Sequence, residues 1–461
     1  MSKKILIVDD LNSKGQGVAK TKDGKVVFIE NAVPGDILSA QIKSKTNRIW
    51  QAEKIEFMEK SPARIKPLCP YFNSSLEEDR LGCGGCQIQQ LNYNALTQMK
   101  EKQLIDKLER LAKVNIKEIK INPIIKAKQV WHYRNHIQLK VRYDKQKSRF
   151  VKGFYATKSH QVVEHEICYI APKVESIIWQ QILTFLTQSQ FEKEFKSNFR
   201  ELIIRSGEHT KEILIAFVFD FIPRNLQQDL EILQQEVAQL ANNINQKLDA
   251  NELVSVNLIA HKQQSLVLWG KDHLTEKLLD KQFKIAPLSF FQVNTAQAEN
   301  LFRFILNYLD SQNQDFNTLY DLYCGTGVIG ILLSDYFQQV KGIDIFPDAI
   351  KNAKENARLN ELKQAKFYLG TVENWIRQQD INKTDVIIVD PPRKGLEKKL
   401  ITTLNKIKAN TLIYVSCNPA TLARDLKLLK NNWQPIEIQP LDLFPWTMHV
   451  ECIALLRRVK G

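Results

Sequence analysis

The chain has no apolar run near the roughly 18–20 residues that a membrane-crossing helix needs. Its first ten residues, MSKKILIVDD, hold four consecutive apolar positions before two aspartates. That is too short for the apolar part of a secretory signal, so a cytoplasmic protein is expected. Glycine (17) and proline (15) are sparse among the 461 residues, and no segment repeats. A collagen is thereby excluded. A mucin-like stalk and a mostly disordered chain are excluded too, because 44% of residues are hydrophobic and 25% charged, which is a globular composition. At ~100–200 residues per domain, several domains are expected. Negative charge is also short: 51 Asp and Glu stand against 65 Lys and Arg, a net charge of +14. Such an excess favours a polyanionic partner, RNA or DNA, through counterion release, unless the lysines serve solubility alone.

Cysteine is present seven times, at Cys69, Cys83, Cys86, Cys168, Cys324, Cys417 and Cys452. An odd number in a chain expected to be cytosolic argues against a disulfide framework. Metal ligation and nucleophilic catalysis are the chemistries left to consider.

Three regions differ in texture. Residues 1–59 show short apolar or alternating runs at 5–8, 26–29, 37–42 and 50–57, punctuated by Gly15, Gly17, Gly24 and Pro34-Gly35. Such spacing predicts a small five-stranded barrel of OB type. Residues 60–280 predict an α+β domain that opens on a Pro-, Gly- and Cys-rich stretch. A helix is expected over 92–114, with Leu104, Leu108 and Leu111 at helical spacing, a segment that would pack on the catalytic domain. Further helices are expected over 176–200 and 224–248, and strands over 136–143, 201–205, 212–219 and 266–269. From 281 to 461, apolar runs at 318–323, 340–345, 365–369, 386–389 and 411–416 alternate with helical segments. That rhythm predicts an α/β Rossmann-like domain.

The third region carries the chemistry. Leu319–Gly330 reads LYDLYCGTGVIG, in which Gly325, Gly327 and Gly330 fit a nucleotide-binding turn between strand and helix. Asp344 closes the next strand, where a carboxylate can bond a ribose. Asp321 precedes the first glycine, and a carboxylate there suits a cationic ligand better than a pyrophosphate. S-adenosylmethionine (SAM) is therefore favoured over NAD, with loop support as the other role open to Asp321. Asp390-Pro391-Pro392-Arg393 ends the fourth strand, where open α/β sheets bind ligands. Arg393 stands where amino-methylating enzymes often carry an aromatic residue, which counts against that chemistry. Cys417 follows the next strand directly, and its thiolate is a candidate nucleophile for an electron-poor carbon. His449 and Glu451, two apart on a strand-like segment, would share a face. Glu451 is the candidate base, whereas His449 is equally a residue that only orients its neighbours.

Together DLYCGTG, DPPR, VSCNPATLARD, the terminal MHVEC segment and Ser289–Asn294 resemble the RNA uracil-5-methyltransferases. Residues 1–58 resemble a TRAM domain through Gly15-x-Gly17-Val-Ala and Asn31-Ala-Val-Pro-Gly-Asp36. The likeness covers nearly the whole chain. Its nearest branch is the bacterial 23S rRNA enzymes that join a TRAM domain to an iron–sulfur cluster. The resemblance implies that Cys417 is the nucleophile and Glu451 the base. It also implies that Gln292, Tyr323, Asp344 and Asp390 hold SAM or line its pocket. A thiolate attacking uracil carbon 6 makes carbon 5 nucleophilic, which explains the need for such residues.

Cys69, Cys83 and Cys86 form C-x13-C-x2-C, with Cys168 82 residues further on. Four thiolates suit zinc or a [4Fe–4S] cluster, and the pattern alone slightly favours zinc. The resemblance implies the iron–sulfur cluster. This sequence departs from the family in a longer gap over residues 73–81 and in Tyr169, where proline often follows the fourth cysteine. An RNA grip is expected from Trp131-His132-Tyr133-Arg134-Asn135-His136 with Lys140 and Arg142, read as an alternating extended run, and from Lys43, Lys45 and Arg48 of the barrel. Against the 23S rRNA methyltransferase reading stand a tRNA uracil-5 enzyme, a non-catalytic iron–sulfur RNA-binding protein and an NAD-dependent oxidoreductase.

Overall fold

Alternation builds the N-terminal barrel. In Lys3–Leu11 the side chains of Leu6 and Val8 point inward, and Leu38, Ala40 and Ile42 of Ile37–Lys45 do the same. The five strands Lys3–Leu11, Gly17–Lys20, Val26–Ile29, Ile37–Lys45 and Ile49–Glu59 close in the order first, second, third, fifth, fourth. The third and fifth run parallel and the other pairs antiparallel, which is OB topology. Asp36 is fully buried. It accepts from Val33 N at 2.8 Å and Ser61 N at 3.0 Å, and it pairs with Arg64. This pairing gives the Asn31–Asp36 motif a structural task, closing the barrel corner. On the surface Lys43 pairs with Glu53, and the Lys45 ammonium lies 4.7 Å from the Trp50 ring centroid.

This computed structural model describes residues 3–46, 49–72, 82–260 and 265–459. Arg48 and the 73–81 stretch lie outside the described residues. The chain divides into two units. The first holds Met1–Asp106, Gly153–His165 and Phe444–Val450; the second holds Lys107–Lys152, Glu166–Leu443 and Glu451–Gly461. Among the described residues no helix is long and apolar enough to cross a membrane.

The helix expected over 92–114 is Tyr93–Lys107, followed by a π-turn at Leu108–Ala112 and a left-handed Lys113 (φ 52°). The wider turn shifts the helical register. Leu104 and Leu108 are buried as expected, but Leu111 is turned out and 45% exposed.

The second unit contains the two-stranded sheet Leu274–Leu278 with Lys281–Ile285 and strands of two larger sheets. One runs Leu266–Gly270, Glu252–Ala260, Glu212–Phe219, Phe199–Ser206, His136–Asp144, with the helix Leu230–Asn245 packed on it. The expected extended run over 131–136 does not form. His132 is left-handed (φ 52°), and the strand begins only at His136.

The other sheet runs Ala365–Leu369, Phe337–Asp344, Phe316–Leu322, Val386–Val389, Thr411–Ser416, Glu451–Arg458, Trp433–Leu441, Lys120–Ile121. Its first five strands are parallel. Val386–Val389 and Thr411–Ser416 are buried throughout, as continuous apolar strands covered on both faces must be. Strand order reverses between Phe316–Leu322 and Val386–Val389, and the crevice at such a switch point is where these sheets bind ligands.

Candidate active site

The glycine turn sits at the switch point. Gly325 and Gly327 have φ of 52° and 81°, and even Tyr323 is left-handed at 64°. A Cβ on Gly327 would lie 2.9 Å from Phe367 Cζ, so the close approach of loop and sheet requires glycine there. A Cβ on Gly325 would meet nothing within 4 Å, leaving bare backbone on that side. Two carboxylates brace the turn. Asp321 Oδ2 accepts from Gly330 N at 2.9 Å, and Asp344 Oδ2 accepts from Gly325 N at 3.0 Å. Asp344 Oδ1 also accepts from Phe346 N at 3.0 Å. Asp321 is fully buried, so it supports the loop from beneath, and its Oδ1 has no hydrogen-bond partner among the described residues. Burial raises Asp321 to about 7; Asp390 and Asp344 add to the shift, and the Gly330 N–H opposes it. Tyr323 donates its hydroxyl to Glu373 Oε1 at 3.3 Å.

Cys417 and Glu451 meet through strand pairing. Glu451–Arg458 runs antiparallel to Thr411–Ser416, with Ser416 opposite Cys452. An antiparallel strand begins where its parallel neighbours end, so Glu451 starts at the edge where Cys417 emerges. Asp390 ends the adjoining strand at the same edge, and its N–H reaches Leu322 O at 3.4 Å. Burial first, then the charges of Glu451 and Asp390, push the Cys417 thiol up to about 11, while Arg393 pulls it down. Burial, with Asp390 adding and Arg393 opposing, raises Glu451 well above the ordinary carboxylate range. Burial also raises Asp390 to about 7.

Several residues position the site through pairings that the sequence does not show. Asn418 caps the helix Pro419–Leu429 through Ala420 N and donates Nδ2 to Arg393 O at 3.0 Å, tying the loop after Asp390 to the loop of Cys417. Fully buried Asp425 accepts from Leu396 N and Tyr414 Oη, both at 2.8 Å. The segment carrying Gln292 is clamped from several sides. Asn135 Nδ2 donates to Gln292 O at 2.8 Å, Arg205 Nε to Pro287 O at 2.9 Å, and Thr326 Oγ1 to Phe290 O at 3.4 Å. Phe290 and Phe346 are exposed, 69% and 67% as whole residues. Only the residue types hinted at such roles; the pairings span distances in sequence that no local pattern reveals.

One expectation is corrected. The strand begins at Glu451, so His449 does not share it; His449 belongs to the first unit, with its ring 6.0 Å from Phe444. Among the described residues no group of three or more His, Cys, Asp or Glu is gathered to hold a metal. Cys69, Cys83 and Cys86 lie in the first unit and Cys168 in the second. Gly85 N–H points to Cys83 Sγ at 3.4 Å, and burial raises the Cys69 thiol.

Comparison with known proteins bears on this arrangement. Residues 98–459 match the tRNA (uracil-5-)-methyltransferase family and residues 4–53 the TRAM domain. An uncharacterized RNA methyltransferase of Halalkalibacterium halodurans is 32% identical, over 97% of this chain and 95% of that protein. One from Clostridium acetobutylicum is 33% identical, over 98% of this chain and 96% of its own. Among solved structures, the Pyrococcus abyssi tRNA (uracil-54, C5)-methyltransferase with bound S-adenosyl-L-homocysteine is 25% identical with a TM-score of 0.72, covering 98% of this chain and 100% of that one. With its TRAM barrel, its switch-point glycine turn and a match over most of its length, the chain belongs to the tRNA (uracil-5-)-methyltransferase family.

Proposed function

We propose that this protein transfers the methyl group of SAM to carbon 5 of a uridine in structured 23S rRNA, through a transient bond between Cys417 and carbon 6. The observation that carries the reading is the strand pairing that sets Glu451 and Cys417 at one edge, beside the glycine turn and Asp390. The residues fit a cationic nucleoside. Asp344 retains lone pairs for ribose hydroxyls, and burial makes Asp321 and Asp390 bind protons more tightly than ordinary carboxylates, a cost that a neighbouring cation would offset. Gln292 and Tyr323 would line the same crevice.

The chemistry balances without an outside reagent. The Cys417 thiol loses its proton to solvent, and the thiolate adds to carbon 6, placing an electron pair on the enolate. Carbon 5 then takes the methyl as the sulfonium becomes a thioether. Glu451 removes the carbon 5 proton, the double bond re-forms and Cys417 leaves. The target uridine must be unstacked to reach Cys417, and the exposed Phe290 and Phe346 offer surfaces for displaced bases. Support for 23S rRNA comes from the sequence resemblance. A tRNA substrate is the second reading, favoured by the likeness to the uracil-54 enzyme. Mass-spectrometric mapping of 5-methyluridine in rRNA and tRNA from a deletion strain tests both. Loss of the mark from neither RNA overturns the function itself.

We propose further that Cys69, Cys83, Cys86 and Cys168 take up a [4Fe–4S] cluster when iron and sulfide are supplied. The spacing and the glycines at 82, 84 and 85 support this. The cluster has no part in the methyl transfer above. Anaerobically purified protein is expected to be brown, with about four irons and four sulfides per chain. Stoichiometric zinc without sulfide would replace the assignment.

A further inference from the structure

A cleft of about 210 Å³ opens in the second unit, lined by His132, Arg134, Asn135, Lys173, Glu208 and Lys211 among others. Its basic groups come from three separate stretches of chain. His132 and Arg134 precede the strand His136–Asp144, Lys173 precedes the helix Glu175–Gln188, and Lys211 sits in the hairpin turn between Phe199–Ser206 and Glu212–Phe219. Convergence from three elements makes this more than one helix's solvated face. Among the described residues, Arg134, Lys173 and Lys211 form no ion pair, although Glu208 lines the same cleft. Arg134 Nε is buried with no hydrogen-bond partner among those residues. Leaving a charged donor so is costly unless a ligand completes it. His132 and Lys211 are both left-handed, with φ of 52° and 61°. Nearby His136 is held down to about 3 by burial, then by Arg205 and Arg134, which reports a positive local field.

The cleft is wired to the candidate active site. Asn135, in its wall, donates its N–H to Val293 O at 2.8 Å and its Nδ2 to Gln292 O at 2.8 Å and Thr295 Oγ1 at 2.9 Å. An anion seated there is therefore one residue removed from the segment that carries Gln292. We propose that this cleft seats a backbone phosphate of the substrate RNA next to the unstacked uridine, with Arg134, Lys173 and Lys211 as its cationic contacts. The proposal rests on the RNA methyltransferase reading above. It supplies what that reading lacks, a fixed point of grip on the strand once the uridine has left its stack.

The test is the double variant Lys173→Ala/Lys211→Ala, both residues being exposed and outside the catalytic machinery. RNA affinity should fall roughly ten-fold at moderate salt, and the log–log salt slope should become shallower by about 0.7, as for one lost phosphate contact on a single strand. KM for RNA should rise in step, while kcat stays within about two-fold and SAM affinity is unchanged; Lys173→Arg/Lys211→Arg should retain the wild-type slope. Wild-type protein assayed alongside separates the two ideas. If wild type methylates no RNA, the parent reading fails. If it does and the variant's slope and KM are unchanged, the cleft does not hold RNA. Loss of SAM binding in the variant would make the cleft a support of the cofactor fold and overturn the proposal. Unchanged RNA binding with lost binding of pyrophosphate would assign it to a small phosphorylated ligand instead.

Discussion

Cys417→Ala is expected to abolish methyl transfer, by more than about 10⁴-fold in kcat, while SAM affinity stays within about two-fold. The asymmetry follows from position. Cys417 emerges from Thr411–Ser416, whereas the groups proposed to hold SAM sit on the glycine turn, on Asp344 and on Asp390. Alanine removes a nucleophile from a half-buried site without touching the hydrogen bonds of that turn. Tritium transfer from labelled SAM measures the first quantity and calorimetric titration the second. Measurable turnover by the variant would sink the covalent route.

The same thiol sets the pH dependence. In the protein without ligands its pKa is pushed up to about 11, so at neutral pH the thiolate is a minute fraction. Rate should therefore rise with pH through the range 6 to 9, because the deprotonated form is the reactive one. A bound sulfonium is the opposite charge that Glu451 and Asp390 call for, and it would draw the thiol down. Modification of Cys417 by a thiol-selective alkylating agent should thus accelerate when a cationic SAM analogue is bound, provided the analogue leaves the thiol accessible. An acceleration absent with the uncharged S-adenosylhomocysteine would separate charge from mere occupancy. Equal rates with both ligands would remove the electrostatic argument and leave the covalent one standing.

What was legible in the sequence was local. The runs at 386–389 and 411–416 are strands over those very residues, because a strand buried on both faces must be continuously apolar; 365–369 is a strand too, at the sheet's edge with only Phe367 buried. The glycine turn was legible because left-handed backbone and close approach leave glycine little competition. The second barrel strand, Gly17–Lys20, was too short and glycine-led to stand out. Trp433–Leu441 was hidden by Pro435 and Pro440, and its register does shift between Pro435 and Glu437. The hold of Asn135 on Gln292 spans 157 residues of sequence, beyond any periodicity. The π-turn after Lys107 changes which leucines face inward without changing their spacing. Glu451 was found as a residue type, but its meeting with Cys417 belongs to the antiparallel pairing, which only the sheet's topology supplies.

That pairing makes Glu451→Gln the most informative substitution. Glutamine is nearly isosteric, keeps the start of the strand and cannot accept a proton. Addition and methyl transfer should proceed, because the negative charge of Glu451 works against the Cys417 thiolate and glutamine removes it. Elimination should then stall. Burial and Asp390 hold the Glu451 proton tightly, so its anion is a stronger base than an ordinary carboxylate, and water is a poor substitute. The expected result is a covalent protein–RNA adduct, stable on a denaturing gel, its uracil bonded through carbon 6 to Cys417 and already carrying the new methyl. Turnover should fall by at least about 10²-fold, the scale of a lost general base. Nuclease digestion followed by mass spectrometry should find the methylated nucleotide on the peptide that holds Cys417, and Glu451→Gln/Cys417→Ala should form no adduct. An inactive variant without adduct would place Glu451 before the addition step. Wild-type turnover would transfer the role of base to another group at the same edge, with Asp390 the first to test.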